Sequence, residues 1–514
     1  MTVLALVLVL AQGCSSAKKE GDPLLEVANR GLSAKARAEA VVLARELAQS
    51  DPTRAQTTRR VLKDVVWNTS EPAILRMEAI GALIDDPDPA VAAESREMVK
   101  LLIPKERSLA VLIYLCRVCT DRGWTDAVPS LVRSYARSVE VLGWIGGVTE
   151  EERPEREAIV ALSGGKNVEE VAFETFLNPP RVEPTYGMDW TERTRIDAWD
   201  LLARLDRDGN RRLAMLEGLP ESAGDGVVAN IRRCVRDLRA VPLTGEELRW
   251  VNNLLDPKKP ANAAWWEQAR SAIAKLPDVG LLNVRHAEAI RWASLTTPDL
   301  LGASKTELTA RLRDRLSGRV MHQREAESGK YRVRERLEHW APKMSWADLL
   351  TVLVIDDVVR QPQVVRAIAA QAELDRRDTT TEYGGALMRK NIGLGEVVRE
   401  EWVAVLYPPR PGQRRGDEQF VASDDMLAAS DLALAHYHLH AQRERNGTFA
   451  GPSPGDLAYA ARYGRSCVVF TGVGPGGRMN VDYYQPDGAV IDLGEVVPPA
   501  KEPDSGMTRG VGPR

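Results

Sequence analysis

The sequence predicts an α-helical body built from stacked helix pairs, followed by a C-terminal α/β domain. Two observations carry this reading. From Ala34 to about Arg319 apolar residues recur at three- and four-residue spacing, and Asp, Pro or Gly breaks the pattern roughly every 12–20 residues. Beyond Pro342 the pattern changes, and three of the six histidines fall within His436-Tyr437-His438-Leu439-His440. Residues two apart in a strand share a face, so His438 and His440 can aim both imidazoles at one point.

In chain order, Val3 to Ala11 is an unbroken apolar run of nine residues, against about 20 needed to span a bilayer. It suits a cleaved signal peptide over residues 1–13. Gly13-Cys14 resembles the lipobox of bacterial lipoproteins, which implies lipidation at Cys14. Residues 14–33 are then a lipid-anchor tether, and the protein is exported and membrane-anchored on the periplasmic side. A secreted or periplasmic soluble form is the alternative. The formal net charge of −4 and pI near 6.0 leave no basic character for nucleic acid.

Ala36 to Leu47, Thr57 to Val66, Ile74 to Leu83 and Ala90 to Leu102 each read as an amphipathic helix. Asp85-Asp86-Pro87-Asp88-Pro89 is a turn leading into a helix start. Over 34–140 the helix pairs repeat at about 35–40 residues and resemble HEAT-type repeats, which implies a solenoid able to bind a protein partner on its concave face. A spacer or a scaffold for the C-terminal domain is the other reading. Cys116 and Cys119 follow an apolar helix and are expected as buried thiols. Residues 141–342 form an irregular helical region in which Trp250, Trp265, Trp266 and Trp292 anchor helices on one another. Gly329 to Trp340 reads as a charged helix, and Pro342 marks the expected domain boundary.

Residues 343–497 are expected to form an independent domain. Trp346 to Val354 and Val364 to Leu374 read as helices leading to Thr381-Glu382-Tyr383-Gly384-Gly385, with Glu382 at the start of an apolar strand. After the histidines come Ser453 and Asp456, then a helix (Leu457 to Tyr463), a strand (Cys467 to Thr471) and a hairpin (Met479 to Tyr484, Ala489 to Leu493). Two imidazoles, the Asp456 carboxylate and a water would make a four-coordinate zinc site with an open position. A strand with histidines on a polar face, beside a turn that contains Asp, is the plainer alternative. Gly472 to Gly477 fits G-x-G-x-x-G, but a strand follows it, so a hairpin turn is expected in place of a dinucleotide site. H-E-x-x-H and P-loop motifs are absent. The tail, 498–514, is rich in Pro and Gly and reads as disordered.

The set Glu382, His438-x-His440 and Ser453-x-x-Asp456 resembles the JAMM (MPN-type) zinc metalloproteases, over roughly residues 343–497. The resemblance implies an α/β JAMM-like fold with Zn2+ as cofactor and His438, His440 and Asp456 as its ligands. It also implies Glu382 as general acid–base, Ser453 as oxyanion donor or helix cap, and a protein or peptide substrate. His436 would be a non-ligand. Ala441 stands where that family usually has proline. Twelve residues separate His440 from Ser453, longer than the usual seven, so the loop 442–451 is expected to bulge outward. The functional expectation is a zinc metallopeptidase or isopeptidase on a helical-repeat arm. Its alternatives are a non-catalytic HEAT-repeat scaffold lipoprotein with a JAMM-like binding domain, and a zinc hydrolase of non-peptide amides.

Overall fold

Helices in the first third of the chain start where the sequence supplies caps. Asp51 and Asp88 each accept a hydrogen bond from the backbone N–H two residues on, and Pro52 and Pro89 occupy the first turn. The structure is a computed structural model and describes residues 21–144, 147–182, 189–322, 335–392, 399–417 and 419–499. The chain divides into two compact units, residues 1–175 and 176–514. It is mostly helical, with one six-stranded sheet near the C-terminus.

In the first unit every regular element among the described residues is a helix. The four helices expected from periodicity lie inside Ala34–Ser50, Pro52–Trp67, Ala73–Ile84 and Pro89–Leu102. Cys116 and Cys119 are free, buried thiols on the helix Leu109–Asp121, as expected. The tether expectation for 14–33 needs correction in its second half. Pro23–Ala28 is a capped helix with Val27 fully buried, because the Arg37 Nε donates to the Val27 carbonyl at 2.8 Å and holds the segment in place. Cys14 and the expected signal lie outside the described residues.

The Arg37 contact recurs. Arg76 Nε donates to the Val66 carbonyl at 3.1 Å, and each arginine is buried against a glutamate, Arg37 with Glu71 and Arg76 with Glu106. Val27, Asn29, Arg37, Glu39 and Ala40 return 39 residues later as Val66, Asn68, Arg76, Glu78 and Ala79. Asn29 and Asn68 both accept the backbone N–H two residues on. Sequence and contact thus repeat together.

In the second unit the sheet comprises β1 (Gly384–Ile392), β2 (Arg399–Leu406), β3 (Ala435–His440), β4 (Cys467–Gly474), β5 (Arg478–Tyr484) and β6 (Val490–Val496). Their order is β2-β1-β3-β4-β5-β6, and only the β3–β4 pair is parallel. Gly472 to Gly477 lies in the β4–β5 hairpin, as its following strand predicts. One face of the sheet, with Tyr437, Leu439, Phe470, Val481 and Ile491, joins the main core. The helix Trp346–Val359, buried at every position but Asp357, belongs to the same core. The other face carries His436, His438 and His440, with Cys467, Val469 and Tyr484 packed under Ala460 of the helix Pro454–Tyr463.

The boundary expected at Pro342 is not where the core ends. One continuous apolar core runs from Cys234 to Val496 and includes Trp250, Trp265 and Trp266. Trp250 Nε1 donates to the Asp431 carbonyl at 2.8 Å, the Arg465 guanidinium lies over the Trp250 ring, and Trp292 meets Trp402 of β2 edge-on. The tryptophans expected to join helix to helix therefore also join helices to the sheet. Of the expected charged helix, residues 335 and 336 are extended and Leu337–Trp340 is helical, while 323–334 lie outside the described residues, as do 500–514 of the tail. A chain of residues 176–514 is expected to unfold in one cooperative denaturant transition followed by circular dichroism. A chain of residues 343–514, lacking the part of that core from Cys234 to Ala341, is expected to show no such transition.

Candidate metal centre

The β1–β3 ladder pairs Gly384 with His438 and Leu387 with Ala435. Continued outward, the same register sets Glu382 opposite His440, and the bond from Leu439 N–H to the Tyr383 carbonyl at 2.9 Å extends the ladder that way. Glu382 thus sits two residues before β1, and its Oε1 lies 3.4 Å from His440 Nε2. The two histidines meet tip to tip, His438 Nε2 lying 3.2 Å from His440 Nε2.

Asp456 arrives from the other side. Parallel strands need a long crossover, and here it contains the helix Pro454–Tyr463, whose N-cap is Ser453. A reciprocal capping box fixes the helix start: Asp456 N–H donates to Ser453 Oγ at 3.2 Å, and Ser453 N–H donates to Asp456 Oδ2 at 2.7 Å. With Oδ2 so engaged, Asp456 Oδ1 lies 3.3 Å from His438 Nε2, and Oδ2 lies 3.8 Å from His440 Nε2. Ser453 is therefore a helix cap beside the centre.

The loop 442–451 does not simply bulge outward. It folds back, so that Asn446 N–H donates to the Gly472 carbonyl and His440 Nδ1 lies 3.0 Å from the Phe449 carbonyl oxygen. His438 Nδ1 lies 3.3 Å from the Tyr484 hydroxyl, and the Phe420 ring stacks on its imidazole with centroids 5.2 Å apart. His436, on the same face, is occupied elsewhere: its nitrogens bond the Tyr459 and Ser430 hydroxyls at 2.8 and 3.0 Å.

Glu382, His438, His440 and Asp456 are all buried. Among the described residues no Lys or Arg pairs with Glu382, Asp456 or the neighbouring buried Asp375, whose Oδ2 has no hydrogen-bond partner. Burying several carboxylates without cations is costly, and a metal ion among them would offset that cost. Glu382, His438 and His440 present ligand atoms all within 4.8 Å of one another, so the group could hold a metal ion.

The two carboxylates are driven apart electrostatically. Burial pushes Glu382 up to about 8; the charges of Asp456, Asp375 and Asp417 add to this while His438 opposes it. Burial also acts on Asp456, but His438 and His440 outweigh it and hold that carboxyl well below its usual range. Burial, the largest influence on His438, pulls it down, yet Asp456, Glu382 and Asp375 together raise it. Burial lifts Asp375 to about 7.

Comparison of the chain with protein-family models, with curated proteins and with solved structures found no match. The structure brings the sequence-predicted Glu382, His438, His440, Ser453 and Asp456 together, while the expected lipidation site Cys14 lies outside the described residues. Asp375, Phe420 and Tyr484 were not anticipated. Tyr484 could have been found by carrying the face alternation of β3 across β4 to β5; nothing local marks Asp375 or Phe420.

Two outcomes follow for the metal-free protein. The Glu382 carboxyl titrates higher folded than unfolded, so its contribution to stability is full below the ordinary glutamate range and lost as pH rises through about 8. In chelator-treated protein, Glu382→Gln is expected to lessen the loss of thermal stability between pH 5 and pH 9. Ser453→Ala removes the cap and is expected to cost about 1 kcal/mol in urea unfolding.

Proposed function

We propose that the chain is a zinc-dependent metallopeptidase or isopeptidase of the JAMM (MPN) type, in which His438, His440 and Asp456 hold the metal and Glu382 is the general acid–base. The observation that carries this reading is that two imidazole nitrogens and two carboxylates, one held ionised and one raised to about 8, converge at one buried point. Tetrahedral zinc with bonds of about 2.0–2.1 Å places neighbouring ligand atoms roughly 3.3–3.4 Å apart. Within the proposed ligand set the imidazoles are 3.2 Å apart and Asp456 lies 3.3 Å from His438, near that spacing, while Asp456 lies 3.8 Å from His440.

Bound zinc would supply Lewis acidity and bring the pKa of a coordinated water toward neutrality. The residues of this chain do the rest. Asp456 stays ionised and suits a ligand. Glu382, pushed up by burial to about 8 in the metal-free protein, is the carboxyl that exchanges a proton most readily and suits a group that takes a proton from water and returns it to a leaving amine. Ser453 Oγ acts only as an acceptor in the helix cap, so its hydroxyl hydrogen remains to stabilise an oxyanion. A protein or peptide amide is the proposed substrate.

The same proposal treats the N-terminal helices as a HEAT-like solenoid arm for a protein partner, supported by the repeat at 39 residues. It places the protein outside the cytoplasm through lipidated Cys14. Among the described residues no helix is long and apolar enough to cross a membrane.

A second assignment exchanges the carboxylates, with Glu382 as ligand; its contact with His440 and its place with both histidines in a group whose ligand atoms all lie within 4.8 Å favour it. Metal analysis and peptidase assay of four proteins decide. Wild type is expected to carry one zinc, and His440→Ala to lose both zinc and activity. Glu382→Gln is expected to keep zinc while turnover falls about 10²–10⁴-fold; Asp456→Asn is expected to lose zinc. The opposite pattern in the last two variants would exchange the roles. Full activity in Glu382→Gln would sink the mechanism, and wild type without zinc would leave the non-catalytic scaffold.

A further inference from the structure

We propose a second cation site, apart from the histidines: Thr471, Asn480, Asp482 and Asp492 enclose a buried place for a hard divalent cation, Ca2+ in preference to Mg2+. The proposal does not depend on the peptidase reading.

The register of the sheet assembles the group. Thr471 of β4 pairs with Asn480 of β5, and Asp482 of β5 pairs with Asp492 of β6. Asn480 and Asp482 are two apart on one strand, so all four side chains share a face. Asn480 draws the carboxylates together, its Nδ2 donating to Asp482 Oδ2 at 2.9 Å and to Asp492 Oδ1 at 3.1 Å. Glu335 closes the group from outside the sheet. Its backbone carbonyl accepts the Asp492 N–H at 2.9 Å, and its carboxylate fills the space that a side chain at Gly451 would need. Thr471, Asn480 and Asp482 are 0% exposed, and Asp492 and Glu335 are buried as well.

Two independent features show what the group lacks. The first is charge. Among the described residues no Lys or Arg pairs with Asp482 or Asp492. His322 gives Asp492 only its backbone N–H, because its ring is engaged by Glu495 at 2.7 Å. Burial, then the charges of Asp492 and Glu335, raise Asp482 well above the usual carboxylate range, and burial lifts Asp492 to about 6. The second is unused oxygen. Thr471 Oγ1, Asn480 Oδ1 and Asp482 Oδ1 are buried without a hydrogen-bond partner. Leaving such atoms unsatisfied is costly. Amide and carboxylate oxygens can only accept, so a donor or a cation must satisfy them. A cation answers both deficits at once, taking the free oxygens while the Asn480 nitrogen stays on the carboxylates.

The donor set selects the ion. Every candidate ligand atom is an oxygen, which suits Ca2+, Mg2+ or Mn2+ and gives zinc no imidazole or thiolate. Mg2+ sheds its waters reluctantly and keeps several of them, whereas Ca2+ accepts a shell of protein oxygens in flexible geometry. A site closed to solvent favours the ion that dehydrates more readily.

The test uses the full chain after chelator treatment, with Ca2+ as the probe, bound metal read by equilibrium dialysis and melting by circular dichroism. Wild type is expected to bind one Ca2+ and to melt several degrees higher at about 5 mM Ca2+, with a smaller shift in Mg2+. His438→Ala is expected to keep that Ca2+. Asp482→Asn retains the shape but removes a charge, and is expected to bind about tenfold more weakly or worse. Thr471→Val removes one oxygen at nearly constant volume and is expected to weaken binding by a smaller factor; it decides the matter if Asp482→Asn does not fold. Wild type that binds no Ca2+ at that concentration would overturn the site. Loss of Ca2+ in His438→Ala would place the ion at the histidines and overturn it too. Unchanged affinity in Thr471→Val together with Asp482→Asn, or tighter binding of Mg2+ than of Ca2+, would equally count against the proposal.

Discussion

Parallel pairing of β3 with β4 is the constraint on which the rest of the centre depends. Antiparallel neighbours can be joined by a tight turn, but a parallel pair must be bridged by chain that leaves the sheet and returns. In this protein the returning chain is a helix laid over the histidine face, and its first turn falls at the strand end where His438 and His440 emerge. The capping box that starts the helix also turns Asp456 toward His438. A local device for helix initiation thereby becomes the aiming device of the centre. On the opposite side of β3, antiparallel pairing with β1 brings Glu382 up against His440.

Buried charge shapes what the centre can do. Asp456 faces both imidazoles and stays ionised, whereas burial, with the neighbouring carboxylates, raises Glu382 to about 8. The difference comes from surroundings: Asp456 accepts a backbone N–H and faces both imidazoles, whereas the charges of Asp375 and Asp417 bear on Glu382. Two carboxyl groups of nearly equal intrinsic acidity acquire distinct chemistry from their surroundings.

What the sequence made legible followed from local rules. Three histidines in five residues, Ser453 three residues before Asp456, and apolar spacing in the early helices each specify local geometry. What it hid was long-range. Pro342 ends a helical pattern, but a proline reports only on its own turn, and the core passes from Cys234 to Val496 without regard to it. Tyr484 reaches His438 across one intervening strand, β4, through two pairings of fixed register, which no spacing between residues 438 and 484 encodes. The repeat of Val27, Arg37 and Glu39 at 39 residues was visible in principle. Arg37 and Arg76 make the same bond to the carbonyls of Val27 and Val66, so a long-range contact recurs with the residues.

The continuous core has a consequence for the timing of synthesis. Trp250 bonds a carbonyl 181 residues further on, and Arg285 bonds Gln485 across 200 residues. Contacts this distant form only after the intervening chain exists and has paid its loop-closure entropy. A nascent chain that has just released Asp456 already holds Glu382, His438 and His440, yet it lacks β4, β5 and β6. The helix carrying Asp456 then has no parallel strand to return to, and His438 has no Tyr484 beside it. The centre is therefore among the last parts of the molecule to become ordered, after the final strands leave the ribosome, and a prematurely terminated chain carries its residues without its geometry.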